Sequence, residues 1–175
     1  MVRKVYVLDT SAIIGGFSGS EGAEQVTVPS VCEELREGLS RWRLEAGLLT
    51  KRIKVMESPA GEVEEVRRFL RKTGDRLSQT DAEVLALALH LKRKKREVEI
   101  VTDDYGIQNL ASVLGIPHRG LLMPGIRKVL RWSKVCPACG REYQVEALHC
   151  PSCGSELKRV GKEREGCGGR RKGKP

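Results

Sequence analysis

Two short stretches of this chain carry cysteines in the same frame: Cys136-Pro137-Ala138-Cys139-Gly140 and Cys150-Pro151-Ser152-Cys153-Gly154, two copies of C-P-x-C-G. Each pair can grip one ion from a single tight turn, with the glycine letting the chain bend beneath the sulfur. Four thiolates in tetrahedral array are a closed, structural Zn²⁺ site with no position open for a substrate. Ten residues separate the pairs, fewer than in one common spacing of about fifteen to twenty. A redox dithiol needs one C-x-x-C; two copies sharing the Pro and the Gly favour zinc. His149 adjoins Cys150 as an alternative ligand that four cysteines make unnecessary, and Cys32 and Cys167 stand apart as ordinary thiols.

A second set of residues suits oxygen-donor chemistry. Asp9 closes a strand-like run and Asp103-Asp104 close another, while Asp81 and Glu34 each fall in the first turn of a helix-like segment. Carboxylates packed together repel unless a cation neutralises them. Mg²⁺ or Mn²⁺, hard ions that prefer oxygen, are the natural residents. Such ions activate water and stabilise a leaving oxygen in phosphodiester hydrolysis. Each acid also has an ordinary explanation. Acids in a first helical turn complement the dipole, Glu33 completes a capping box with Ser30, and Asp103 suits the N-cap of a helix opening at Asp104. Because Glu33 is so occupied, Glu34, three residues after Val31, is the better ligand candidate. Singly, each acid is more readily structural; four at one sheet edge reverse that preference.

The elements that must position these groups alternate. Lys4 to Asp9, Gln25 to Pro29, Arg52 to Met56 and Glu97 to Thr102 read as strands, with a short fifth beginning between Gly115 and His118. Helical segments run from Ser30 to Trp42, Gly61 to Thr73, Thr80 to Lys95 and Asp104 to Leu114. Ile107, Leu110, Ala111 and Leu114 share one buried face; Gly74 and Gly115 are C-terminal stops. Thr80 to Glu83 matches the capping box a second time. Strands alternating with helices predict a mainly parallel sheet covered on both faces. In such a sheet the carboxyl ends of strands and the amino ends of helices share the ligand-binding edge, so Asp9 and Asp104 meet there if their strands are neighbours. Pro124-Gly125 interrupts the pattern. The organisation expected is an α/β domain over 1–122, a linker over 123–132, a zinc ribbon over 133–158 and a disordered basic tail over 159–175.

The 175 residues suffice for one core and a small appendage. No apolar run is long enough to span a bilayer and no basic-then-apolar leader opens the sequence, which predicts a cytoplasmic protein and, with it, metal-bound rather than disulfide-bonded cysteines. The net charge is +9, and Lys158 to Pro175 hold eight Lys/Arg against two Glu. This favours an anionic partner without choosing between nucleic acid and an acidic protein. Arg131, Lys134 and Arg141 around the cysteines tilt the ribbon toward RNA contact. Trp132 suits base stacking or packing between the domains. The run Lys92 to Arg96 suits a helix C-terminus, and His90 and His118 read as structural.

At this point the chain resembles a family. Val7-Leu8-Asp9-Thr10-Ser11-Ala12, Glu34-Leu35, Thr80-Asp81 with Leu85-Ala86-Leu87-Ala88, and Val101-Thr102-Asp103-Asp104-Tyr105 resemble, in order, the four acidic motifs of PIN-domain ribonucleases. The resemblance implies a three-layer α/β/α fold, with Asp9, Glu34, Asp81 and Asp104 as Mg²⁺ or Mn²⁺ ligands and Ser11 as a supporting hydroxyl. It leaves Asp103 open as an adjacent cofactor-binding acid. A PIN domain followed by a zinc ribbon is similar to the archaeal and eukaryotic endonucleases that mature the 3′ end of small-subunit ribosomal RNA, and Asp104-Tyr105-Gly106-Ile107-Gln108-Asn109 extends that likeness. It implies precursor 16S rRNA as substrate and the immature small ribosomal subunit as partner. The rivals are a toxin-type PIN ribonuclease, which ordinarily ends before any ribbon, and a non-catalytic RNA-binding assembly factor whose acids only cap helices.

Overall fold

A computed structural model describes residues 3–163. The first unit is a five-stranded, all-parallel sheet in the order β3-β2-β1-β4-β5, built from β1 (Lys4–Leu8), β2 (Glu24–Thr27), β3 (Ile53–Val55), β4 (Glu97–Val101) and β5 (His118–Arg119). The chain winds outward from β1 to β2 and β3, then returns to place β4 on the other side of β1. The reversal of order therefore lies between β1 and β4, where an open α/β sheet forms its crevice. Their register, Val5 opposite Val98 and Leu8 opposite Val101, brings both carboxyl ends to the same level.

Six helices complete this unit: α1 (Thr10–Ile14), α2 (Pro29–Glu34), α3 (Gly38–Leu49), α4 (Ala60–Thr73), α5 (Gln79–Arg93) and α6 (Tyr105–Val113). Val5, Val7, Leu8, Ile100 and Val101 are fully buried in the central strands, as expected of a parallel sheet covered on both faces. α5 buries Ala82, Val84 to Leu89 and Leu91. A helix apolar nearly all round belongs in the core.

Three local expectations are corrected. The helix read over Ser30 to Trp42 is two helices, broken at Leu35 to Glu37 where Gly38 takes φ +77°, and the second runs on to Leu49 because Leu44 and Gly47 pack inward. The Ser30–Glu33 capping box does not form. Pro29 opens α2 from Val28, and the Ser30 hydroxyl donates instead to Glu83 at 2.6 Å. The second box lies two residues earlier than the Thr80 frame: Ser78 Oγ accepts from the Asp81 N–H and Asp81 Oδ2 accepts from the Ser78 N–H, while Thr80 is buried. The five-residue α1 went unread because one turn is too short to show periodicity. Gly74 and Gly115 do stop their helices, at φ +71° and +64°.

The second unit is an antiparallel sheet in the order β7-β6-β8, from β6 (Leu130–Val135), β7 (Glu142–Tyr143) and β8 (Lys158–Glu163). It is larger than composition suggests. Residues 130–132, read as linker, begin β6, and 159–163, read as disordered tail, pair with β6 from Leu130↔Glu163 to Val135↔Lys158. The backbone ladder, blind to side-chain polarity, orders this basic segment. The remainder of the predicted tail, with Cys167, lies outside the described residues. Lys134, expected to face RNA, is buried with its ammonium donating to the Ala147 carbonyl at 2.6 Å.

The two units are joined through polar side chains of α6. The Asn109 amide mimics a strand, donating to the Leu130 carbonyl (3.0 Å) and accepting from the Leu130 N–H (2.8 Å). It also donates to Asp75, which accepts the Trp132 indole N–H at 2.9 Å. Trp132 thus packs between the units, with the Arg159 guanidinium over its ring at 3.9 Å. Among the described residues no helix is long and apolar enough to cross a membrane. Asn109→Ala, which strands the Leu130 and Asp75 polar groups, should cost about 2 kcal/mol of stability in urea unfolding and speed proteolysis between residues 121 and 129. An unaltered transition would remove Asn109 from this role.

Candidate active site and cysteine centre

Asp9 follows β1 at the order reversal and is 5% exposed. Its Oδ2 accepts two hydroxyls, from Ser11 at 2.9 Å and Thr102 at 2.8 Å. Both hydroxyls are used twice: Ser11 Oγ accepts from the Asp103 N–H, and Thr102 Oγ1 from the Asp104 N–H, each at 3.0 Å. The end of β1 is thereby tied to the turn after β4. Burial pushes the Asp9 carboxyl above its ordinary value of 3.8, the hydroxyls and the Thr10 N–H pull it back, and the negative charge of Asp81 adds to the rise. That repulsion puts Asp9 and Asp81 in one electrostatic neighbourhood.

The other acids reach the same edge from helix ends. Asp104 is the N-cap of α6, its Oδ1 accepting from the N–H groups of Gly106 (2.6 Å) and Ile107 (3.0 Å). Asp81 caps α5 through Oδ2. Glu34 ends α2 rather than beginning a helix, and its Oε2 accepts the Thr10 hydroxyl at 2.5 Å. Capping and ligation are therefore not alternatives here. Glu34, Asp81 and Asp104 each spend one oxygen on a local hydrogen bond, and among the described residues the other oxygen of each has no side-chain or backbone donor. The acids do not crowd: the described residues hold one group of three or more Cys, His, Asp or Glu with ligand atoms all within 4.8 Å, and it is the cysteines. Like charges spread in this way. The donor set fits a hard cation of flexible or octahedral oxygen preference.

Asp103 separates from this set. Its carboxylate turns away and accepts from the N–H groups of Leu121 (2.7 Å), Leu122 and Met123 (both 3.1 Å). Against the cost of its partial burial, those three donors hold it below the usual carboxylate range. It is a loop clamp, and it is not the N-cap, which is Asp104. The residues that sequence reading passed over are Thr10 and Thr102. Their only signal was a hydroxyl beside an acid, in Thr102's case at the end of a buried strand where an aliphatic residue would otherwise pack.

In the second unit, Cys136, Cys139, Cys150 and Cys153 converge. Cys136 to Cys153 and Cys139 to Cys150 are 3.4 and 3.6 Å apart, sulfur to sulfur. A disulfide would need about 2.05 Å, whereas a tetrahedron with metal–sulfur bonds of about 2.3 Å has edges of roughly 3.8 Å. The two knuckles share one hydrogen-bond scheme, Gly140 N–H to the Cys136 carbonyl and Gly154 N–H to the Cys150 carbonyl, with both glycines near φ +70°. The Tyr143 hydroxyl, with N–H groups of Ser152 and Cys153, brings the Cys150 thiol down to about 5 against the cost of burial. The cluster fits a small zinc ribbon. His149 sits in a bridge with Glu156, outside the cluster.

This fold with acids at its switch point is the architecture of a PIN ribonuclease domain, and residues 6–91 match the family described as the PIN domain of ribonuclease. The chain is 43% identical over 142 residues to an endoribonuclease Nob1 of Methanothermobacter thermautotrophicus, covering 80% of this chain and 82% of that protein. It is 41% identical over 159 residues to an endoribonuclease Nob1 of Archaeoglobus fulgidus, covering 90% and 92%. A span of nine-tenths of 175 residues necessarily includes the four cysteines. It is also 40% identical over 116 residues to a ribonuclease VapC3 of Aeropyrum pernix, covering 65% and 84%. The chain belongs to the Nob1 endoribonuclease family.

Because the Asp9 carboxyl holds its proton more tightly folded than unfolded, its contribution to stability without metal is largest at low pH. It is lost as pH rises from 3.8 through the raised value. Asp9→Asn should lack this component. Urea unfolding in EDTA as a function of pH should therefore show the variant gaining on the wild type as pH rises, and parallel curves would contradict the burial argument.

Proposed function

We propose that this endoribonuclease is a cytoplasmic, divalent-metal-dependent enzyme that cuts single-stranded precursor 16S rRNA at its 3′ end in the immature small ribosomal subunit. The observation that carries the reading is the set of carboxylate oxygens left without a donor among the described residues on Glu34, Asp81 and Asp104, on the sheet edge that holds buried Asp9, in a chain that continues into a ribbon. In this reading Asp9, Glu34, Asp81 and Asp104 hold Mg²⁺ or Mn²⁺, and Cys136, Cys139, Cys150 and Cys153 hold Zn²⁺. The bound divalent ion supplies Lewis acidity toward a water and the leaving oxygen. The protein's part is orientation: Ser11 and Thr102 fix Asp9, Thr10 fixes Glu34, and the ends of α5 and α6 fix Asp81 and Asp104. The ribosomal RNA assignment draws on the Nob1 relatives and on the PIN-plus-ribbon arrangement. A toxin-type role would leave the ribbon without a task.

Asparagine caps helices as well as aspartate does, so Asp104→Asn keeps α6 while removing the ligand charge. Asp9→Asn and Asp104→Asn should each reduce cleavage about a hundredfold or more, with RNA affinity retained. The assay is cleavage of a short single-stranded RNA spanning the 3′ end of 16S rRNA, with Mn²⁺ and with EDTA. Cutting that survives both substitutions would sink the metal assignment, and cutting of any RNA at many positions would sink the substrate. For the ribbon, chelation should release thiols and abolish the ordered 130–163 sheet, since its core is only Cys136, Cys150 and Leu157 with Tyr143 and Ala147 against it. Unchanged protease resistance after zinc removal would refute this.

A further inference from the structure

A groove of about 510 Å³ opens beside Asp104, walled by Tyr105 and by Pro124 to Lys128 from the segment entering the ribbon. Tyr105 is the first residue of α6, adjoins Asp104 and is 46% exposed. Nothing in the fold requires a large aromatic ring at an exposed first helical position. The polar groups of the groove floor are already satisfied, because Asn109 and Trp132 both donate to Asp75. Ile126 is half-buried, its N–H donating to Gln108 at 2.8 Å, and Gln108 in turn donates to the Thr102 carbonyl at 2.8 Å. The apolar wall is thus held in register with the acidic edge. At the rim, Lys128 is engaged by Glu163, whereas Arg127 is exposed and among the described residues makes no ion pair.

We propose that this groove takes one unpaired base of the RNA substrate, next to the scissile phosphate. Tyr105 is its stacking face, Ile126 and Pro124 its opposite wall, and Arg127 the partner of its phosphate. The proposal rests on the nuclease reading above and adds a specificity-determining pocket to it. Three features choose a nucleotide over a peptide. The flat ring stands one residue from a candidate metal ligand, past which any substrate of that site must run. Most of the slot's lining is apolar, and Arg127 at its rim is an exposed cation without an ion pair among the described residues. Base–aromatic stacking tolerates every base, so the pocket requires an unpaired nucleotide without dictating its identity. A duplex would keep its bases out of reach.

The test uses the full chain in an Asp9→Asn background with no Mg²⁺ or Mn²⁺ added and no chelator, so that binding alone is read while the cysteine centre is left intact. The probe is a fluorescent single-stranded RNA spanning the cut, and a series of the same RNA carrying one abasic nucleotide at successive positions. Tyr105→Phe should bind like its parent, and Tyr105→Ala roughly tenfold more weakly. Tyr105→Leu, which keeps apolar contact without a flat face, should behave like Tyr105→Ala. One abasic position beside the cut should weaken binding by the parent to a similar extent and cost Tyr105→Ala nothing further. Equal affinity of parent and Tyr105→Ala, or equal losses for both at every abasic position, would overturn the proposal and leave the groove to a protein partner. Failure of the nuclease reading is separate: it would appear as absence of metal-dependent cutting by the wild type, whatever the Tyr105 variants bind.

Discussion

The hydroxyl of Thr102 accepts from the Asp104 N–H and donates to Asp9 Oδ2 in the same step. That bridge ties the buried carboxylate after β1 to the helix cap after β4. It can exist only because β1 and β4, far apart in sequence, are paired with Leu8 opposite Val101. A slip of one residue would turn every side chain to the other face and aim Asp9 into the packing. Ser11 makes the same double connection to Asp103. Two hydroxyls thus replace part of the water that a buried carboxylate forfeits, and they offset the rise that burial imposes on its pKa.

From this bridge the constraint passes outward along α6. Gln108, fully buried, donates to the Thr102 carbonyl and accepts the Ile126 N–H. Asn109, its neighbour, binds both polar groups of Leu130. Two adjacent amides therefore set the path of the segment leaving the nuclease unit and the first strand of the ribbon. Asp103 adds a third tie, gathering the 121–123 turn onto its carboxylate. The ribbon is coupled to the acidic edge by short, directional polar contacts, alongside the packing of Trp132 between the units.

The two units solve opposite problems of stability. The α/β unit has an ample core and brings several negative charges, spread apart, to one edge. The ribbon has almost no core and carries its order in a backbone ladder and four converging sulfurs. On the function proposed above, a cation would serve each unit differently, one by neutralising charge and the other by replacing a hydrophobic interior.

Much of this was legible from the chain alone. The paired C-P-x-C-G knuckles specify their own geometry locally, since each is a single turn whose glycine sits near φ +70°. The alternation of strands and helices, and with it the sheet edge that collects Asp9, Asp81 and Asp104, follows from apolar periodicity and terminal residues, which are local properties too. What sequence could not decide were contacts between residues distant in the chain. Asp103 and Asp104 are adjacent and chemically identical, and only the tertiary path of 121–123 assigns one to a loop and the other to the edge. Ser30 and Glu33 have capping-box spacing, yet Glu83 takes the serine hydroxyl because α5 packs against α2. Residues 159–163 read as tail by composition and belong to a strand because β6 offers an unpaired edge. Local spacing determines which turns and caps are available; the partner across the fold determines which of them are used.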